Sequence, residues 1–145
     1  MFRSILVPVD LSELEIVQPA LDKAIALAGM TGASLHLVYV RSIMPVTFME
    51  YVPPSFDEEQ QDECEKKIND VAAKLPMARE KITTRVRMGS IYNEVLAEAE
   101  ATNSDLIVVG SHRPAMSTYL LGSNAATIVR HAPCSVLVVR MPEKS

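Results

Sequence analysis

Gly110, Gly122, Ser123 and Asn124 form the part of this sequence best suited to chemistry. Gly110 ends the apolar run Leu106-Ile107-Val108-Val109, and its missing side chain would let a ligand's phosphates approach the backbone. Gly122 offers the same freedom just before a helical segment. The start of that segment, Ser123-Asn124, supplies free N–H groups, a hydroxyl and the positive end of a helix dipole, a combination suited to an anion. Arg113, between the two glycines, can add a charge-assisted contact to phosphate. On these residues alone a plainer reading stays open, with Gly122 as a turn residue and Ser123 as an ordinary helix cap.

Other constellations fit less well. There is no GxGxxG after the first apolar run and no GxxxxGK[ST] anywhere. A phosphoacceptor domain of similar layout needs an acidic pair near Asp10, an Asp after the third strand and a Lys after the fifth. The sequence offers a lone Asp10, then Met88-Gly89, then Arg140-Met141-Pro142. A flavin site would need a Ser/Thr-rich loop after the first strand, which is missing. His36, His112 and His131 are scattered without metal-ligand spacing, so a protein zinc site is not expected. His112 is a candidate phosphate contact or, on a plainer view, a surface turn residue. His131 suits the negative end of a helix, and His36 suits a packed or edge strand. No residue stands out as a general base, so at most slow hydrolysis of a bound phosphate ligand is expected.

The elements that must position these residues follow from periodicity. Five short β-branched and apolar segments read as strands: Ser4 to Val9, Ser34 to Val40, Ile82 to Met88, Leu106 to Val109 and Ser135 to Arg140. Continuous apolar runs in the fourth and fifth indicate strands buried on both faces, as in a parallel sheet. The third alternates and therefore belongs at a sheet edge. Helical spacing fills the gaps. Ile16 to Met30 places Pro19 in its first turn and stops at Gly29 and Gly32. Glu58 to Leu75 follows, with Asp57, Glu58 and Glu59 at the positive end of the dipole. Ser90 to Thr102 has Ser90 as N-cap and Glu94 near the capping-box position, and Ser123 to His131 is the last helix. This alternation predicts a three-layer α/β sandwich with a five-stranded parallel sheet, spanning residues 1–145 as one domain. Arg41 to Asp57, with Pro45, Pro53 and Pro54, breaks the rhythm as an insert and reads as a lid, a partner contact or a disordered stretch.

Composition bounds the function. A formal charge of −4 argues against a nucleic-acid backbone binder. The absence of Trp removes the best stacking platforms for single strands. No apolar run approaches the roughly 20 residues of a membrane span, and the short apolar stretch that stops at Pro8 and Asp10 is not expected to act as a secretory signal. A cytoplasmic protein is expected, with Cys64 and Cys134 as free thiols.

The anchors Ile5-Leu6-Val7-Pro8-Val9-Asp10, Met88-Gly89-Ser90, residues 105–114, residues 120–126 and residues 131–140 together resemble the universal stress proteins, in particular the small bacterial F and G type members. The resemblance covers nearly the whole chain. It implies an adenine nucleotide α-hydrolase-like fold with strand order 3-2-1-4-5, bound ATP with or without Mg²⁺, and a homodimer through the C-terminal strand that can assemble further. ATP-binding members carry Gly-x2-Gly-x9-Gly-(Ser/Thr). Here Gly110, Gly122 and Ser123 match, Arg113 replaces the second glycine, and the spacer from Pro114 to Leu121 is one residue short. By the same likeness Asp10 bonds the ribose or the adenine edge. Val40 presents backbone groups to adenine, and Pro8, Val9 and Val109 pack near the base.

Physical reasoning is compatible with that site. In open parallel sheets ligands bind outside the carboxyl ends of the strands, where the strand order reverses. Asp10, Val40 and Gly110 would all stand there. The fifth strand would be an apolar edge, and such an edge is normally paired or covered. The function expected is a nucleotide-dependent switch that responds to stress. The competing expectation is a nucleotide-independent interaction module with a degenerate site.

Overall fold

The apolar segments do become strands, and the central ones alternate their side chains between two cores. The computed structural model describes residues 1–43, 46–111 and 122–140. Strand β1 spans Ser4–Pro8, β2 Ser34–Arg41, β3 Ile82–Met88, β4 Leu106–Gly110 and β5 Ser135–Val139. Helix α1 spans Leu14–Thr31, α2 Phe56–Ala73, α3 Ile91–Ala101 and α4 Ser123–His131. Short 3₁₀ turns cover Val46–Tyr51 and Arg79–Lys81. All neighbouring strands pair in parallel, in the order β3-β2-β1-β4-β5. That is the order the family resemblance implies.

Successive strand residues point to opposite faces. Ile5, Val7, Leu35, Leu37 and Val108 pack with Leu21, Ala24, Ile68 and Ala72 of α1 and α2. Leu6, Val38, Ile107 and Val109 pack with Val95 and Ala99 of α3 and with Ala125 and Ile128 of α4. Both faces are dry, which is why the central strands read as continuous apolar runs rather than alternating ones. The alternating β3 is an edge, with Ile82 and Val86 buried and Thr83 and Arg85 exposed.

Several local expectations are corrected. Helix α1 starts at Leu14, so Pro19 lies inside the helix and beyond its first turn. The amphipathic face containing Val17, Ala20 and Leu21 carries the helix through a position that lacks an N–H donor. Gly29 lies within α1, and Gly32 alone stops it. Gly32 adopts φ 73° and donates its N–H to the Ala28 carbonyl at 2.8 Å. Helix α2 ends at Ala73, short of Leu75. Ser90 holds the N-cap position of α3, but its hydroxyl makes no capping bond. Glu94 turns to Arg87 instead of completing a capping box, with Oε1 3.1 Å from Nη1. The N-cap of α4 is Gly122 and not Ser123, which is the first helical residue.

Candidate functional site

Where the carboxyl ends of the strands meet the helix starts, a cavity of about 650 Å³ opens, within the range usual for small-molecule sites. Pro8, Val9, Asp10, Val40, Gly110, Gly122, Ser123 and Asn124 all line it. Of the remaining expected residues, Val109 is 5% exposed and belongs to the α3–α4 core, without reaching the cavity wall. Strand alternation sends its side chain inward one residue before the mouth. Arg113, and His112 beside it, lie outside the described residues.

The β1 side of the cavity is held by backbone pairing that continues past the strand, where Val9 N–H donates to the Val38 carbonyl at 2.8 Å. Asp10 follows. Its Oδ1 accepts from the Ser12 N–H at 3.0 Å and from the Ser12 hydroxyl at 2.7 Å. This local turn fixes the carboxylate ahead of α1. Ser12 and Glu13 also line the cavity, as do Ser42 and Ile91, none of them among the expected site residues. Their only signal was position, because each lies within a few residues of a strand's carboxyl end.

The β4 side is built for close approach. Among the described residues, a side chain at Gly110 would meet only the Ile16 carbonyl, at 4.0 Å, an ordinary contact. The fold itself therefore does not demand glycine there. Ser111 is buried and donates its N–H to the Val139 carbonyl at 3.0 Å. Its own carbonyl accepts the Gly122 N–H at 2.7 Å, which carries the chain into α4. The first intrahelical bond runs from Ala126 N–H to the Gly122 carbonyl at 2.9 Å. The amides of Ser123, Asn124 and Ala125 precede it and lack intrahelical acceptors. An Asp or Ser cap would claim one of them, and glycine leaves them available.

Two neighbouring arrangements were not anticipated. Arg41 is buried and pairs with Asp57, its Nη2 lying 2.8 Å from Oδ1. Glu98 is buried under α3 and faces Arg87 and Arg85 of β3. His36 is half-buried and bonds Thr83 Oγ1 through Nδ1. Burial lowers its pKa below the usual histidine value, and the charge of Glu98 pushes the other way. Both cysteines are free, and burial raises the pKa of Cys134. Among the described residues no group of three His, Cys, Asp or Glu side chains could hold a metal ion. Among them, too, no helix is long and apolar enough to cross a membrane. A smaller hollow of about 380 Å³ between α1 and α2 contains none of the expected site residues.

Five parallel strands in this order, with a strand-end cavity over the β1–β4 switch, define a doubly wound α/β protein. Residues 1–140 match the model of the universal stress protein family, and the chain belongs to that family. Universal stress protein G of Shigella flexneri is 37% identical over 144 residues, covering 97% of this chain and 100% of that one. Among solved structures, universal stress protein UspA from Lactobacillus plantarum superposes with a TM-score of 0.70 at 25% identity, covering 95% of this chain and 97% of that one. A universal stress protein in complex with cAMP superposes with a TM-score of 0.67 at 22% identity, covering 95% and 97%.

Proposed function

We propose that this universal stress protein binds ATP in the strand-end cavity and acts in the cytoplasm as a homodimeric, nucleotide-dependent switch in the response to stress. The observation that carries the reading is the convergence on one cavity of Asp10, Val40, and the uncapped start of α4 at Gly122, Ser123 and Asn124. Asp10 suits the sugar, and the α4 amides suit the phosphates. Gly110 fits the same picture, since among the described residues nothing crowds its flank and a ligand has room there. Arg113 supplies the phosphate charge, and Mg²⁺, where present, is held mainly by the phosphates. A universal stress protein of the same fold is known with cAMP, so cAMP is the natural competitor to ATP.

The decisive experiment exploits Gly110. Gly110→Ala should not lower thermal stability and should weaken ATP binding at least tenfold by calorimetry, and an Arg113→Glu, Ser123→Ala double variant should weaken it further. If wild type and variants bind ATP and cAMP equally, or none binds either, the site assignment fails.

The homodimer is argued from β5, which is an edge with Val136, Leu137 and Val138 only half-buried. A two-fold partner strand would cover it. Only monomer by light scattering at micromolar concentration would refute this. The second reading, a nucleotide-independent interaction module, is favoured by Ile43, ahead of the insert's short 3₁₀ helix, and Tyr51, its last residue, at 68% and 81% exposure. Loss of assembly on deleting residues 44–53, with ATP binding absent throughout, would select it.

A further inference from the structure

Strand β2 ends on two residues that leave opposite faces of the sheet. Val40 lines the cavity, and so does Ser42 beyond it. Arg41, between them, turns toward α2 and is 9% exposed. Its guanidinium is used twice. Nη2 donates to Asp57 Oδ1 at 2.8 Å and Nη1 to Gln61 Oε1 at 2.9 Å. Gln61 Nε2 then donates to the Val86 carbonyl of β3 at 3.3 Å. The Arg41 carbonyl, in turn, accepts the Gly89 N–H at 2.9 Å. Two residues past Gly89, Ile91 also lines the cavity. One buried cation therefore ties the β2 exit, the β3 exit and the start of α2 together. Arg41 and Asp57 also begin and end the insert, so their ion pair closes that segment at its base.

A buried guanidinium is a weak source of net stability, and an apolar residue of similar volume often serves a core as well. What it adds is geometry, because a planar fork with two acceptors locks its own backbone in place. We propose that Arg41 is a positioning residue that sets the base selectivity of the strand-end cavity, an inference that rests on the adenine-nucleotide reading. Held by Arg41, the Val40–Ser42 backbone keeps a fixed separation from Gly89–Ile91. A rigid wall whose backbone groups match adenine leaves those groups unpaired against guanine and so rejects it. A slack wall adjusts to either base.

The test titrates wild type, Arg41→Met, Arg41→Lys and Asp57→Ala with ATP and with GTP. It also records thermal stability and hydrogen exchange at the Gly89 amide without nucleotide. The ATP-over-GTP preference of Arg41→Met is expected to fall about tenfold, chiefly through weaker ATP binding. Asp57→Ala, whose change lies at the helix start, should move selectivity the same way by less, and Arg41→Lys should not restore it. Gly89 exchange should quicken in Arg41→Met and in Asp57→Ala. Unchanged selectivity, or equal losses for both nucleotides that track thermal stability, would leave Arg41 a merely structural residue and overturn the proposal. Wild type that binds neither nucleotide overturns the adenine reading and this inference with it. Gly89 exchange still reports separately on the clasp in that case.

Discussion

Arg87 on the edge strand β3 holds the buried carboxylate of Glu98 on α3, with Nε 2.8 Å from Oε1. The Glu98 side chain is only 4% exposed, whereas Arg87 keeps contact with solvent and also reaches Glu94 at 3.1 Å. The bond to Glu98 is the main reason that the Arg87 pKa is raised. Arg85 stands further off, with Nε 3.6 Å from the same Glu98 oxygen. This pairing attaches α3 to an edge strand that otherwise offers the helix little apolar surface.

Breaking the pair from one side should cost more than removing it. Arg87→Met leaves a buried carboxylate with only the distant Arg85, and the expected loss is about 2–3 kcal/mol, toward the low end for a buried pair because Arg87 is partly solvated. Glu98→Gln should cost less, since the amide still accepts a hydrogen bond. The Arg87→Met, Glu98→Leu double variant should recover most of the Arg87→Met loss. Urea denaturation of the three variants checks the ordering, and a double variant no more stable than Arg87→Met would contradict it.

The contrast between Glu98 and the strand runs explains what was legible in the sequence. Leu106-Ile107-Val108-Val109 announces a doubly covered strand by composition alone, and β4 follows. Gly122-Ser123-Asn124 announces a helix start by residue type, and α4 begins there. The universal stress protein motifs supplied the strand order. Glu98 was silent because its neighbours Glu94 and Glu100 make the helix read as a solvated face. Only the docking of α3 against β3 turns one of the three inward. The reach of α1 back to Leu14 was hidden for a similar reason, since Pro19 argues locally against it and the buried face overrides that argument. Arg41 looked like the edge of a loop because its partner Asp57 lies at the far end of the insert.

Asp105 should make stability depend on acid. Its Oδ2 accepts the Arg3 N–H at 2.9 Å and its Oδ1 the Ser4 N–H at 3.1 Å, binding the entry of β4 to the entry of β1. Burial alone would raise its pKa, but these backbone bonds to the charged form outweigh it and hold the pKa below the ordinary carboxylate value. The unfolded chain therefore binds a proton more readily than the native one. The stabilisation is complete above the ordinary value, near 3.8, and is lost as pH falls through the lower native value. Asp105→Ala should cost about 2 kcal/mol at neutral pH. Asp105→Asn should flatten the acid limb of the urea midpoint against pH, and an unaltered limb would rule this residue out as its source.

His36 should add a second pH dependence at higher pH. Thr83 Oγ1 meets its Nδ1 from β3, and the Glu98 charge on α3 favours the protonated ring. Burial opposes protonation more strongly, so the native pKa lies below 6.5. The unfolded state again binds the proton first. Stability is at its full value above about pH 6.5 and declines as pH falls through the native value. His36→Gln should remove the slope in this window while leaving the Asp105 limb in place. Chemical-shift titration of the His36 ring gives the direct check, and a native pKa above 6.5 would reverse the sign.

Two glycines near the end of α1 should respond to the same substitution with opposite signs. Gly29 is helical and exposed, and an added Cβ would meet nothing within 4 Å. Alanine there restricts the unfolded chain and favours the helix, so Gly29→Ala should stabilise by about 0.5–1 kcal/mol. Gly32 is equally uncrowded, yet it adopts φ 73° to end the helix and bond Ala28. Alanine resists that left-handed conformation by about 1–2 kcal/mol. Gly32→Ala should therefore destabilise, and Gly32→Asn should lose less, because Asn tolerates the conformation. Since an added Cβ at either position meets no atom of the described residues within 4 Å, thermal melts of the three variants compare backbone preference directly. A stabilising Gly32→Ala would mean that the chain can leave α1 by another route.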